Sequence, residues 1–195
     1  PLRLVGSEMC IRDRSKMVSR PISGFLHVIV YVGFVLINIE LLEIIIDGLT
    51  GEHRIFAPIL GSLYNVLIGT FEIFAFLVLV AVIFFWTRRN IIKINRFWKA
   101  EMKGWPKLDG DIILYFEVVL MFLFLAMNAT DSILQELDPE HYVKAGSFPI
   151  SQFLVPLFEN LSKNNLYLME RSFWWFHIIG IFIFLNYLYY SKHLH

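Results

Sequence analysis

Histidines 177 and 195 bracket the end of the last long apolar stretch of this sequence, and a third, His27, lies inside the first. Positions 177 and 195 are five turns apart at about 3.6 residues per turn, so on one continuous helix both project from the same face, about 27 Å apart. His193 falls about 160° away, which makes His195 the better partner. An ionisable side chain within a membrane span is a functional-site hypothesis by default, and neutral imidazoles offer axial ligation of haem iron. The spacing suits two haems stacked across a bilayer, and hence electron transfer between a quinone and a soluble redox partner. The plainer reading of each residue is an imidazole hydrogen-bonded between helices or, for His195, one at the membrane interface.

The elements that must carry these residues follow from composition. With 57% hydrophobic and 17% charged residues and a mean hydropathy of +0.61, the chain reads as a membrane protein. Four segments, 22–46, 62–86, 112–130 and 173–190, approach the ~20 residues that cross ~30 Å of hydrocarbon. The expected fold is all-α, a polytopic transmembrane helix bundle. Arg88, Arg89, Lys93, Arg96, Lys99, Lys103 and Lys107 crowd the connection between the second and third spans, against Glu101 and Asp109, and so predict that this loop and both chain ends are cytoplasmic. Lys16, Arg20 and Lys192 agree, while Asp47, Glu52, Asp131, Glu136, Asp138, Glu140 and Glu159 fall on the other side.

Residues 3–14 match, codon for codon, the end of a transposase-type sequencing adapter, so 1–14 are set aside as an artefact and 15–195 read as a transmembrane domain truncated at both ends. Cys10 is the only cysteine and falls in that stretch, which leaves no disulfide and no iron-sulfur ligand set in the remainder. The 131–171 connection contains an apolar run, 148–159, too short to span, which predicts a segment lying in the interface or capping the bundle. His53 and His141 fall in the loops opposite the cationic one, where a surface histidine is the ordinary reading.

Carboxylates within the spans need partners. Glu40, Glu43 and Asp47 cluster on the face of the first span opposite His27, and Glu72 and Glu117 lie in the second and third. Each must face another helix, a water file or a partner. Glu40 and Glu72 are the first candidates for a proton path and Glu117 the next; interhelical hydrogen bonding is the alternative. Gly180, one turn beyond His177, would leave room for a flat macrocycle.

Several stretches resemble the membrane cytochrome b domain of the respiratory nitrate reductase gamma subunit and the heterodisulfide reductase membrane subunit, as found ahead of cytosolic iron-sulfur, heterodisulfide-reductase-like regions. They are Arg20-Pro-Ile-Ser-Gly-Phe-Leu-His27, Tyr31-Val-Gly-Phe34, Ile39-Glu-Leu-Leu-Glu-Ile-Ile-Ile-Asp-Gly48, His53-Arg-Ile-Phe56, Met102-Lys-Gly-Trp-Pro-Lys107 and Phe173-Trp-Trp-Phe-His-Ile-Ile-Gly180. The resemblance implies five helices holding two b haems, of which the chain keeps four. It implies that His27 and His195 ligate the cytoplasm-proximal haem and His177 the distal one. The gamma-subunit pattern has a second histidine where this chain has Ile37, so His53 is the remaining candidate opposite His177, and a single-haem version is open.

The expected function is therefore membrane electron transfer through haem b between a menaquinone-type pool and cytoplasmic iron-sulfur clusters in a missing C-terminal region or partner, in a bacterial inner membrane and without nucleic acid. The rival expectation is a cofactor-free membrane anchor, scaffold or transporter segment.

Overall fold

The computed structural model describes residues 21–93 and 104–191, all helix or connection, with no strand among them. Four helices are long: α1 Pro21–Thr50, α2 Ser62–Asn90, α3 Trp105–Leu137 and α4 Lys163–Tyr190. Each is long and apolar enough to cross a membrane, over Gly24–Thr50, Ser62–Asn90, Lys107–Leu137 and Lys163–Tyr190. The chain is thus a multi-pass membrane protein. The adapter-like stretch, Cys10, most of the cationic loop and His195 lie outside the described residues.

Each helix packs chiefly on its chain neighbour, α1 on α2, α2 on α3 and α3 on α4, and α1 also meets α4, where a Cβ on Gly48 would stand 2.8 Å from Trp174. One end of the bundle holds the 51–61 and 138–162 connections and is called here the acidic end; the other holds Arg88, Arg89 and Lys107 and is called the basic end. Outward faces are apolar, as lipid requires: Phe25, Val35, Ile39 and Leu42 on α1 and Phe176, Ile179 and Ile183 on α4 are all exposed. Lipid tails are as apolar as leucine, so helix association depends on close packing and on small residues that let backbones approach. Gly33 of α1 is such a point, since a Cβ there would stand 2.7 Å from Val78 Cγ2 of α2. The core runs down α2 through Tyr64, Ile68, Phe71, Ala75 and Val82, at helical spacing, against Leu120 and Phe124 of α3 and Ile178 and Phe184 of α4.

Two helices, α3 and α4, extend well past the apolar segments read from the sequence. α3 begins at Trp105 and continues to Leu137 because Asp131 and Gln135, polar residues that look like an exit from the membrane, are buried against other elements. α4 begins at Lys163, where Ser162 caps it by accepting from the Asn165 N–H at 3.4 Å; a serine at this position satisfies an otherwise orphan first-turn donor. α4 also ends early. Ser191 is extended, with φ −78° and ψ 150°, and its hydroxyl donates to Asp109 Oδ2 at 2.9 Å. The helix thus ends at Tyr190, and His195, whose phase with His177 assumes a continuing helix, lies outside the described residues.

Between α3 and α4 the apolar 148–159 run forms two short turns, Ser151–Phe153 and Val155–Phe158. They fold over the acidic end as a cap, with Ser151 and Phe158 buried.

Candidate functional site

His177 lies at mid-length in α4 and is 2% exposed. Its Nδ1 stands 3.0 Å from the Leu120 carbonyl oxygen of α3. A carbonyl only accepts, so Nδ1 carries the proton and Nε2 keeps its lone pair. This is the arrangement of a metal-binding histidine, whose second nitrogen is oriented by a backbone carbonyl. Phe124 packs beside it with ring centroids 5.9 Å apart.

A cavity of about 60 Å³ adjoins His177, lined by Asn38 and Leu41 of α1, Val78 of α2, Glu117, Leu120 and Met121 of α3 and Phe184 of α4. Small-molecule sites generally enclose some 300–1,000 Å³. His177 therefore fits the donor chemistry of a haem ligand, while the space enclosed beside it does not admit the macrocycle. Gly180 leaves no vacancy either. Leu120 fills the position, and a Cβ on residue 180 would lie 2.8 Å from Leu120 Cδ2. The glycine serves the close approach of α3 and α4, which corrects the expectation of room for a flat ring.

The other histidines stand elsewhere. His27 is exposed on α1, with its ring 4.6 Å from that of Phe85 of α2, and does not line the His177 cavity. His53 commits both ring nitrogens: Nδ1 accepts the Val143 N–H at 3.1 Å, so Nε2 carries the proton and donates to Asp131 Oδ1 at 2.8 Å. Serving as an axial ligand would cost it at least one of these bonds. His141 pairs with Asp138 at the surface, 3.1 Å away. Among the described residues no group of three or more His, Cys, Asp or Glu is arranged to hold a metal ion.

The largest polar assembly lies at the acidic end and is centred on Arg54, which the sequence reading left out. Arg54 is 8% exposed and adopts a positive φ of 54°, a conformation that costs a non-glycine residue about 1 kcal/mol or more and persists only when its surroundings hold it. They do. Asp47 accepts from the Arg54 and Ile55 N–H groups at 2.9 and 3.0 Å, and Glu43 accepts from the Phe56 N–H at 3.2 Å. Two carboxylates on the last turns of α1 thus fold the connection back over the helix end.

The guanidinium then reaches across the bundle. It donates to Asp131 Oδ2 at 2.6 Å from Nη2 and 3.0 Å from Nε, to Tyr64 Oη at 3.0 Å and to Asn128 Oδ1 at 3.3 Å. Burial alone would lower the Arg54 pKa, but Asp131 and then Tyr64 outweigh it and hold the group well above its usual value. Tyr64 passes its proton donor on to Glu43 Oε2 at 2.9 Å. Asn128 donates to Glu72 Oε1 at 3.1 Å, and Glu72 also accepts the Ile150 and Ser151 N–H groups, at 2.9 and 3.1 Å, and the Ser151 hydroxyl. Glu72 therefore pins the capping segment. Asn128-Ala-Thr-Asp131, a polar cluster inside an apolar span, and the adjacent His53-Arg54 pair were the signals that could have revealed this network.

Two carboxyl groups named from the sequence are left with different settings. Glu117 is half-buried and lines the His177 cavity. Glu40 is 4% exposed, with Oε2 unpartnered, and lines a second, larger cleft of about 710 Å³ between α1 and α4 at the acidic end.

Over 182 residues, 93% of its length, the chain is 28% identical to a protein of Bacillus subtilis (strain 168) described as "Probable iron-sulfur-binding oxidoreductase FadF". The chain spans about a quarter of that protein's length, 24%. No family profile matches the chain, and no solved structure matches it.

Proposed function

We propose that this chain is the membrane electron-transfer domain of a respiratory oxidoreductase, linking a menaquinone-type pool to iron-sulfur clusters held by a cytoplasmic region or partner. The observation that carries the reading is His177: a buried imidazole at mid-membrane depth, with its protonated nitrogen fixed on a carbonyl and the other left basic. The similarity to an iron-sulfur-binding oxidoreductase over 93% of the chain supports a redox role in general.

Haem b, when bound, supplies one-electron exchange. His177 is the residue proposed to hold it through Nε2, in a conformation wider beside His177 than the 60 Å³ that this structure encloses, with His27 a second candidate at another depth on α1. What the chain itself does is orient and exclude water: the Leu120 carbonyl fixes the tautomer of His177, and Phe124 and Leu120 keep its surroundings apolar. A tautomer fixed in this way presents one nitrogen at an unvarying angle. The cationic residues at the basic end support a cytoplasmic position for that end, where the soluble redox partner docks. The quinone then meets the chain at the acidic end, beneath the 148–158 cap.

The test is to purify the full-length protein in lipid, add a menaquinol analogue and follow the visible spectrum. A b-type α-band that appears on addition supports the reading. Haem that is present but not reduced by quinol contradicts the quinone assignment, and a folded, haem-replete preparation with no band leaves the cofactor-free anchor.

A further inference from the structure

The cleft between α1 and α4 ends on a carboxyl group that no other residue engages fully. It opens at the acidic end and narrows toward Glu40, ten residues and so about 15 Å below the end of α1. The neighbouring acids are all occupied. Glu43 accepts from Tyr64 and Phe56, Asp47 from two backbone N–H groups, and Asp131 from Arg54, His53 and Gln135. Glu40 alone among them combines near-complete burial with an oxygen that receives no hydrogen bond.

An ionised carboxylate in that position lacks the donors that make buried charge tolerable, and the two remedies are a proton or a cation. Charged groups face it from every side: Glu43 on α1, Glu72 on α2 and Arg54 in the connection, with Asp131 of α3 and the Glu170–Arg171 pair of α4 lining the same cleft. Both arginines are already bound to carboxylates, Arg54 to Asp131 at 2.6 Å and Arg171 to Glu170 at 2.6 Å. Neither donates to Glu40 Oε2, so Arg54 acts on Glu40 only through its field. The cleft does offer water. At ~30 Å³ per molecule a cleft of 710 Å³ has room for on the order of twenty waters, enough to connect Glu40 with the bulk at the acidic end.

We propose that the α1–α4 cleft is an aqueous half-channel that exchanges protons between the acidic end and Glu40. The carboxylate of Glu40 takes a proton from hydronium in the cleft, leaving water, and returns it by the reverse step. Beyond Glu40 the continuous space stops. The next opening is the smaller cavity lined by Asn38, Leu41 and His177, with Glu117 on its α3 wall. Glu40 thus stands between a water-connected cleft and the mid-membrane cavity of the proposed redox site. The proposal is independent of the electron-transfer reading, because it requires neither haem nor quinone and its test reads protonation.

The experiment uses the full-length protein in lipid vesicles and records infrared difference spectra between acidic and alkaline buffer at fixed salt, in water and in D₂O. The expected result is a protonated-carboxyl C=O band that grows on acidification and shifts within the mixing time in D₂O. Glu40→Gln should remove that one band, Glu40→Asp should displace it, and Glu52→Gln, on the exposed rim, should leave it intact. A band set unchanged in Glu40→Gln and Glu40→Asp overturns the proposal, as does a Glu40 band that fails to exchange in D₂O. A band that responds to sodium or potassium at constant pH overturns it in favour of a cation site. Should Glu40→Gln fail to insert, the displacement in Glu40→Asp decides.

Discussion

The acidic end and the middle of the bundle handle polar groups in opposite ways. At the acidic end, Arg54 bonds Asp131, Tyr64 and Asn128, Tyr64 bonds Glu43, and Asn128 leads through Glu72 to Ser151. In the middle, His177 makes one bond to a backbone carbonyl, and Glu117 lines a nearly dry cavity. A polar network whose members satisfy one another serves architecture, because removing one part strands the rest. A polar group that keeps unused capacity in apolar surroundings is retained at a cost that architecture does not explain.

Breaking the acidic end should have the largest effect. Arg54→Met leaves Asp131 buried and without its cation, and removal of one partner from a buried ion pair costs about 3–5 kcal/mol. Titrating the helical signal with SDS in mixed micelles should reveal a loss of that size; a variant as stable as the parent would mean the network is ornamental. Glu72→Ala strands the Ile150 and Ser151 donors, at about 1–3 kcal/mol for the group left unsatisfied. Its signature is local, with protease cleavage and hydrogen exchange rising in 148–158 ahead of the helices.

The middle is more sensitive to volume than to charge. Gly180→Val drives a side chain into Leu120, which stands 2.8 Å from the site of a Cβ, and overpacking of this kind costs about 1–3 kcal/mol. Combining it with Leu120→Ala should recover part of the loss, and additive losses in the double-mutant cycle would remove the contact from the account.

The smallest effect belongs to the surface. Lys163 first and His141 second hold the exposed Asp138 carboxyl below its usual value. A carboxyl with a lowered folded-state pKa stabilises above the unfolded value of about 3.9, and the contribution fades as pH falls through the lower folded value. Asp138→Asn should flatten this acid limb in thermal unfolding and lower neutral-pH stability only slightly.

Four apolar segments and their order could be read from the sequence because lipid imposes a simple rule on composition. The ends could not, since Asp131 and Gln135 look like solvent residues until Arg54 is brought against Asp131 from 77 positions away and the Ala145 carbonyl accepts from Gln135. The candidate site divides in the same way. His177 was identifiable as an ionisable residue within an apolar run, and it is buried at mid-length in α4. The setting of His53 and the commitment of Glu72 depend on loops that return over the bundle, and no periodicity along one helix records such a return. Glu40 and Glu72 look equivalent in sequence; only three-dimensional packing separates the acid with four donors from the acid with an unpartnered oxygen.

The central claim is that His177 binds haem iron, where His53 serves the fold. Reduced-minus-oxidised spectra of the full-length protein beside His177→Ala and His53→Ala test it most directly. The account predicts a b-type α-band in the parent that falls by half or vanishes in His177→Ala and persists in correctly inserted His53→Ala. An undiminished band in folded His177→Ala would contradict it.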